Sequence, residues 1–411
     1  MIKLLHLADV HIGMENYGRL DPATGLSTRV QDFLDTLDEA VERAISDRVD
    51  LVAFAGDIYK TRDPSPTHQR EFARRVVRLT REGIAVVLVA GNHDIPAARG
   101  RATSVDIFRV LDLSLVTVAR RIELLRVETR SGPIQIVSLP WLTRSAFLAE
   151  DEYKNKSVEE LLELMVDLAD KRLADVTAGL DPSVPAALIG HVHVFGARAG
   201  AERLLTLGND PILNVSLVDR PNVDYVGLGH IHKHQTLATG APPVVYSGSI
   251  NRVDFGEEDE PKGFVLAEVE RGSCNWEFVP VKARPFLTIR AEPISEDPTG
   301  DVQKTIFKLG SGVRDAVVRL QLVGPRAKVE AVNEKEVRAQ LREAYYLLPF
   351  QREYTDKQRP VSLGEDLQGR TPLDILDLYF ERRSVKPERR QQLLACAREL
   401  MADEPAVGSR Q

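Results

Sequence analysis

Five short stretches of the 411-residue chain carry residue types that bind metal ions, and each follows a run that reads as a β-strand. They are Asp9-Val10-His11, Gly56-Asp57, Gly91-Asn92-His93-Asp94, Gly190-His191 and Gly229-His230-Ile231-His232. In an extended chain residues i and i+2 share a face, so Asp9 and His11 are expected to converge, as are His230 and His232. Glycine before a ligand lets the chain turn sharply and lets backbone come close to a bound group.

The donor chemistry narrows the metal. Imidazole suits first-row transition metals, while carboxylate and amide oxygens suit harder ions such as Mn²⁺ or Mg²⁺. Asp9, His11, Asp57, Asn92, His191, His230 and His232 make seven candidate ligands, too many for one tetrahedral Zn²⁺. They suit two metals about 3.5–4 Å apart that share a carboxylate, and Asp57, alone at its strand end, is the natural bridge. No thiolate accompanies the set, which excludes structural zinc and iron–sulfur readings. A lone histidine at a strand end is more often structural. Recurrence at five strand ends, with glycine at four of them, is what carries the dimetal reading.

The elements that must position these residues alternate. β-rich runs at 3–7, 51–55, 85–90, 134–139, 186–189 and 225–228 are bounded by Gly, Pro or Asp. Amphipathic helices with a period near 3.6 fall at 30–47, 69–81 and 158–176. Alternation of this kind predicts an α/β fold with helices covering sheet faces. Antiparallel strands at 246–249, 263–270 and 275–281 would complete a first domain over 1–283. A small α+β cap follows at 284–350, with strands at 286–291 and 316–322 and helices at 299–309 and 333–341. A polar stretch at 351–371 reads as a linker. Two helices at 372–381 and 387–402 then begin with proline in the first turn.

Composition excludes several classes. Charged residues make up 28% and hydrophobic residues 43%, with a net charge of −7. That rules out a histone-like protein that holds nucleic acid by bulk charge, though not a local basic track. No apolar run approaches the roughly 20 residues of a membrane helix, and no signal-peptide pattern opens the chain. The two cysteines, Cys274 and Cys396, are expected to be reduced, semi-buried thiols of a cytoplasmic protein. No Walker A sequence is present, so any ATP dependence must come from a partner.

The five motifs together resemble those of the calcineurin-like metallophosphoesterases. The strings GDIYKTRDPSP (56–66), YVGLGHIHKHQ (225–235) and VVYSGSINRVDFGEEDEPKGFVLAEV (244–269) are similar to the SbcD-type nuclease subunits of bacterial SbcCD complexes, relatives of the eukaryotic and archaeal break-repair nucleases. The resemblance covers most of 1–282 and is looser beyond. It implies a four-layer α/β (α+β) sandwich with a small cap and C-terminal helices. It implies one metal held by Asp9, His11, Asp57 and His232 and a second by Asp57, Asn92, His191 and His230. The ions would be two Mn²⁺, replaceable by Mg²⁺, with no nucleotide bound by this chain. His93 would not be a ligand but would act on the transferring phosphoryl group or the leaving oxygen. Asp94 is expected to set the tautomer or charge of His93 or of a ligand.

The same resemblance implies a 3′–5′ double-strand exonuclease and single-strand endonuclease, a homodimer through 64–82 and 99–113, and an SMC-like ATPase partner of the SbcC type clasped through 372–403. Three features favour DNA over a small phosphodiester or a phosphoprotein. Arg70, Arg74, Arg78 and Arg81 share one helix face, within about 80° at 100° per residue. The cap region 284–371 carries a net +2 against −9 for 1–283. The terminal helices carry apolar stripes, Leu373, Leu376, Leu378, Tyr379 and Phe380, then Leu393, Leu394, Ala397, Leu400 and Met401, which two short helices cannot bury alone. A small-molecule phosphodiesterase and a non-catalytic scaffold bridging DNA ends are the alternatives. Among the other histidines, His6 is expected in the core, His68 in solvent, His193 outside the ligand set, and His234 at the surface facing substrate. Lys60 stands near where some relatives carry an extra active-site histidine.

Overall fold

The computed structural model describes the chain except residues 97–100, 112, 144–154, 199, 201–209, 357–369, 384 and 403–411. Two compact units are distinguished. The first comprises 1–290, 303–321 and 335–351; the second comprises 291–302, 322–334 and 352–411.

In the first unit, β1 (Ile2–Leu7), α1 (Thr28–Ser46), β2 (Leu51–Ala55), α2 (Pro66–Arg81) and β3 (Ala85–Val89) follow the expected alternation. Every residue of β2 and β3 is buried, as near-continuous apolar runs such as Leu51-Val52-Ala53-Phe54-Ala55 require when both sheet faces are covered. Ser27 and Ser65 cap α1 and α2 by accepting from backbone N–H groups. After the short helix α3 (Asp106–Val110) come β4 (Val116–Ala119), β5 (Glu123–Thr129), β6 (Gly132–Leu139), α4 (Val158–Ala178) and β7 (Ala186–His191). A two-residue pair, β8 (His193–Val194) and β9 (Ile212–Leu213), precedes β10 (Tyr225–Gly229), β11 (Gln235–Ala238), β12 (Val244–Tyr246), β13 (Gly263–Glu270) and β14 (Ser273–Pro280).

These strands form two six-stranded sheets, ordered β14-β13-β1-β2-β3-β4 and β11-β12-β10-β7-β6-β5. β1, β2, β3 and β4 run parallel, as do β6, β7, β10 and β12; antiparallel β13 and β14 close one edge of the first sheet, and antiparallel β11 and β5 close both edges of the second. One apolar layer, including Leu4, Ala53, Val87, Ile136, Ile189 and Val265, lies between the sheets. A second packs α1 and α2 on the first sheet through residues such as Leu34, Leu37, Phe72 and Val76. A third packs α4 on the second sheet through Ala169, Leu173 and Val176. Helix, sheet, sheet, helix is the expected four-layer sandwich.

The differences from the sequence reading are local. β12 pairs parallel with β10 and stops at Tyr246, because Gly248, at φ +78°, sits against the His232 carbonyl where a side chain has no room. The sequence reading did not include β4 or β5; in β5, Glu123-Leu124-Leu125-Arg126 does not alternate. Of the expected linker, Gln351–Tyr354 forms a strand, and 357–369 lie outside the described residues. Cys274 and Cys396 are free thiols, the first half-buried and the second exposed. No helix among the described residues is long and apolar enough to cross a membrane.

Residues beyond β14 are tied to α1 by a buried charge group. The carboxylate of Asp32 accepts from Arg29 Nη1 at 2.7 Å and from Arg284 Nε at 2.6 Å. Arg29 is fully buried and donates its other Nη to the Arg252 carbonyl at 2.7 Å. Removing one partner of a buried pair leaves the other charge uncompensated. The variant Asp32→Ala is therefore expected to lose about 3–5 kcal/mol of stability. Urea unfolding followed by circular dichroism measures this, and a loss below about 1 kcal/mol, the range of a solvated pair, would refute it.

Candidate metal centre

All five chemical motifs follow the carboxyl ends of parallel strands, the region where open α/β sheets bind ligands. Asp9 and His11 follow β1, Asp57 follows β2, and Asn92 and His93 follow β3, all in the first sheet. His191 ends β7, and His230 and His232 follow β10, in the second sheet. The strand-end loops of the two stacked sheets thus come together at one end of the sandwich.

Convergence does not come from strand alternation. β1 ends at Leu7, and Asp9 and His11 both adopt left-handed backbone, at φ +51° and +48°. Asp57 and His230 do the same, at φ +53° and +92°. Non-glycine residues avoid this region, and such strain collects at functional sites. Two glycines make room. A Cβ on Gly91 would overlap the Asp57 carboxylate, and one on Gly56, at φ +86°, would overlap the His191 ring.

The side chains form one cluster. His11 Nε2 lies 3.0 Å from His232 Nε2 and 3.9 Å from Asp57 Oδ2. His191 Nε2 lies 3.4 Å from Asp57 Oδ1 and 2.9 Å from Asn92 Oδ1, and His230 Nδ1 lies 3.3 Å from the same amide oxygen. Donor atoms of Asp9, His11 and His232 fall within 4.8 Å of one another, as do those of Asp9, Asp57 and His191. Asp9 belongs to both groups, and Asp57 lies 3.9 Å from His11 and 3.4 Å from His191.

The donors fit divalent metal. His11 Nε2, His191 Nε2 and His230 Nδ1 all turn toward the carboxylate and amide oxygens of the cluster, a mixed nitrogen and oxygen set suited to a first-row divalent ion. His191 Nδ1 faces the Ala55 carbonyl at 2.8 Å, which suits an Nδ1–H donor and leaves Nε2 as a lone pair. Burial pushes His11 and His230 well below the ordinary imidazole range, which keeps both rings neutral and able to ligate. Burial would raise Asp57, but the His191, His93 and His11 rings around it hold its carboxyl well below the usual value. Burial would likewise lower His191, but the Asp57 and Asp9 carboxylates hold it up at about 9, so a metal at its Nε2 must displace a proton.

The family model for calcineurin-like phosphoesterases matches residues 2–234. The chain belongs to this family. It is a phosphodiester hydrolase that depends on divalent metal. Among curated relatives, the chain is 24% identical over 341 residues to the DNA double-strand break repair protein Mre11 of Archaeoglobus fulgidus, covering 78% of this chain and 68% of that one. It is 25% identical over 339 residues to the SbcD component of the nuclease SbcCD of Staphylococcus epidermidis, covering 79% and 83%. It is 28% identical over 276 residues to the corresponding SbcD component of Escherichia coli K12, covering 66% of each.

His93 stands at the rim. Its Nδ1 lies 2.7 Å from the Lys60 carbonyl and its Nε2 lies 3.9 Å from Asp57 Oδ2, while 42% of the side chain is open to solvent. Lys60 thus contributes through its backbone, a role that its side-chain type could not reveal. Asp94 departs from expectation. Its carboxylate reaches no histidine; it accepts from the backbone N–H of Gly91 at 2.9 Å and of Ile58 at 3.2 Å, and from Ser104 Oγ at 3.2 Å. It clamps the loop after β2 to the loop after β3, and so holds Asp57 and Asn92 in place rather than acting on His93.

Other histidines sort themselves. His6 is core, its Nδ1 2.9 Å from the Tyr225 hydroxyl, and burial lowers it to about 3. His68 is half-buried against Gly13 rather than solvated, since α2 starts at Pro66, two residues before it. His234 stacks on Phe278 at 4.0 Å and faces the Tyr246 carbonyl, so it is held inside rather than facing substrate. His193 stands beside His230, ring to ring at 6.1 Å. Sequence reasoning missed Trp141, whose ring lies 4.8 Å from that of His230 and walls the site. It also missed Glu257, 2.7 Å from His232 Nδ1. Neither has a spacing that signals a site.

Because Gly91 leaves the space that the Asp57 carboxylate occupies, Gly91→Ala is expected to weaken Mn²⁺ binding by about tenfold or more, the lower end for disturbed ligand support. Titration followed by electron paramagnetic resonance measures free Mn²⁺ directly. Wild-type affinity in a folded Gly91→Ala variant would contradict the crowding argument.

Proposed function

We propose that the chain is the nuclease component of an SbcCD-type complex, an enzyme that cleaves DNA with two Mn²⁺ ions, replaceable by Mg²⁺. The observation that carries this is the single cluster of Asp9, His11, Asp57, Asn92, His191, His230 and His232 with His93 at its open rim. Relatives named as nuclease and break-repair proteins over two thirds or more of this chain's length support DNA as substrate. Asp9, His11, Asp57 and His232 would hold one ion, and Asp57, Asn92, His191 and His230 the other. When bound, such ions activate water and neutralise charge on the phosphoryl group. The chain's own contribution lies in orientation. His93, fixed through Nδ1 on the Lys60 carbonyl, turns Nε2 toward the centre and, as the imidazolium, can donate to a phosphoryl or leaving oxygen there. Trp141 closes the side of the site over His230.

In this reading the enzyme trims double-stranded DNA 3′–5′ and cuts single strands internally, in end processing, replication, repair and recombination in the cytoplasm. Four further helices follow α4 in the chain: α5 (Val215–Val218), α6 (Pro298–Phe307), α7 (Arg326–Glu330) and α8 (Glu334–Gln340). An SMC-like ATPase of the SbcC type binds the last two helices, α9 (Pro372–Arg382) and α10 (Pro387–Ala402). These are joined by Arg390 to Asp377 and Glu381, yet no described side chain in 372–401 is buried. That supports a partner covering their apolar residues. Ile107, Val110 and Leu111 expose apolar side chains on and just after α3, which supports a homodimer through 99–113. The small α+β stretch 284–350 would serve as the DNA-facing cap.

One observation favours the alternative of a small-phosphodiester substrate. Arg70 and Arg74 pair with Glu71, and Arg78 pairs with Asp38 and Glu42. The arginine row on α2 is thus largely committed within the chain, and it supports DNA binding less than its spacing suggested. The two readings separate on linear duplex DNA with Mn²⁺ and the ATPase present. His93→Ala is expected to lower cleavage by about 10²–10⁴-fold, the usual worth of a positioned acid or base, while Mn²⁺ still binds. Rapid hydrolysis of bis-p-nitrophenyl phosphate with no DNA cleavage would favour the small substrate, and unchanged cleavage by His93→Ala would remove it from the chemistry.

A further inference from the structure

The stretch from Ser249 to Lys262 lies outside the five ligand motifs, yet it builds a polar circuit against one of them. Glu257 is fully buried, and its Oε1 lies 2.7 Å from His232 Nδ1. Its other oxygen pairs with Lys262 Nζ at 2.9 Å and accepts from the Val253 N–H at 3.0 Å. Lys262 is also buried. Its ammonium donates to Ser249 Oγ at 2.9 Å, to Glu260 Oε2 at 3.0 Å and to the backbone carbonyl of His232 at 3.1 Å. The path from the His232 ring to Glu257, to Lys262 and back to the His232 backbone is closed.

We infer that Glu257 is a positioning residue for the metal centre, with Lys262 as the group that fixes it: together they hold the His232 ring in the orientation and tautomer that present Nε2 to metal. Glu257 accepts from Nδ1–H, and only the other nitrogen then carries a lone pair. That nitrogen is the one that faces His11 Nε2 at 3.0 Å, beside Asp9. Lys262 supplies the counter-charge that lets a carboxylate stay buried, and its bond to the His232 carbonyl fixes the backbone under the ring. A carboxylate behind a metal-bound histidine typically contributes 10–100-fold in metal affinity. The inference rests on the proposed assignment of Asp9, His11, Asp57 and His232 as ligands.

The test is Mn²⁺ titration of the full chain, read by electron paramagnetic resonance and by calorimetry. Glu257→Gln keeps the size and an accepting oxygen but lets the amide rotate its NH₂ toward Nδ1. It is expected to weaken one of two Mn²⁺ ions by about 10–100-fold and leave the other, whose ligands exclude His232, unchanged. Lys262 keeps its pair with Glu260 in Glu257→Gln, so the fold is expected to survive. The variant Glu257→Asp, which keeps the charge but shortens the reach to Nδ1, should show the same one-ion defect. Two ions bound with wild-type affinity in either folded variant would overturn the inference, and so would a fall in melting temperature with no change in affinity. If the wild-type chain binds no Mn²⁺, the ligand assignment fails instead.

Discussion

Two separate sheets can share one metal site only where their strand-end loops cross without side chains in the way. Gly229 illustrates the constraint: a Cβ there would strike the Ala55 carbonyl and the Ala8 side chain, which belong to the other sheet. Gly56 and Gly91 extend the bare region toward His191 and Asp57. The apolar layer between the sheets brings the loops to the same height, and the missing side chains let them close. Every later feature depends on this contact, because the candidate donors are divided between the two sheets.

The electrostatics follow from that geometry. Seven donors brought out of water would be prohibitive as a set of free charges. The cluster offsets this by alternating groups: carboxylates of Asp9 and Asp57 among the rings of His11, His191 and His232. Outside the cluster, carbonyls and carboxylates take the remaining N–H groups, at Ala55 for His191, Lys60 for His93 and Glu257 for His232. Each of these rings thus arrives with its other nitrogen already turned inward.

Much of this was legible in the sequence. The buried strands announced themselves as short apolar runs between glycines and charged residues, and the alternation of strands and helices set the layer order. Asp9, His11, Asp57, Asn92, His191, His230 and His232 were visible because metal chemistry restricts residue type and because each stands at a strand end. The backbone around them was not visible, since left-handed φ at Asp9, His11, Asp57 and His230 is imposed by tertiary contacts. Residues that act through another group were also hidden. Glu257 looks like one acid in an acidic run, Lys60 works through a carbonyl, and Asp94 shares its motif with His93 but spends its carboxylate on backbone N–H groups. The arginine row on α2 misled for a related reason: helical spacing shows a common face but not the acids of α1 opposite it.

The short turn Phe255–Glu257 joins two places that are far apart in function. Phe255 packs edge-on against Phe286 and Tyr17, with Arg319 over its ring, and the neighbouring Glu258 accepts from both the N–H and the hydroxyl of Thr288. Glu257, between them, grips His232. Four consecutive residues therefore act as a rigid crank, gripped by the aromatic seat at Phe286 on one side and by a metal-facing ring on the other. Phe286 and Thr288 are thus linked to His232 through consecutive residues of one short turn, so a shift of that strand would reach the ring through side chains alone.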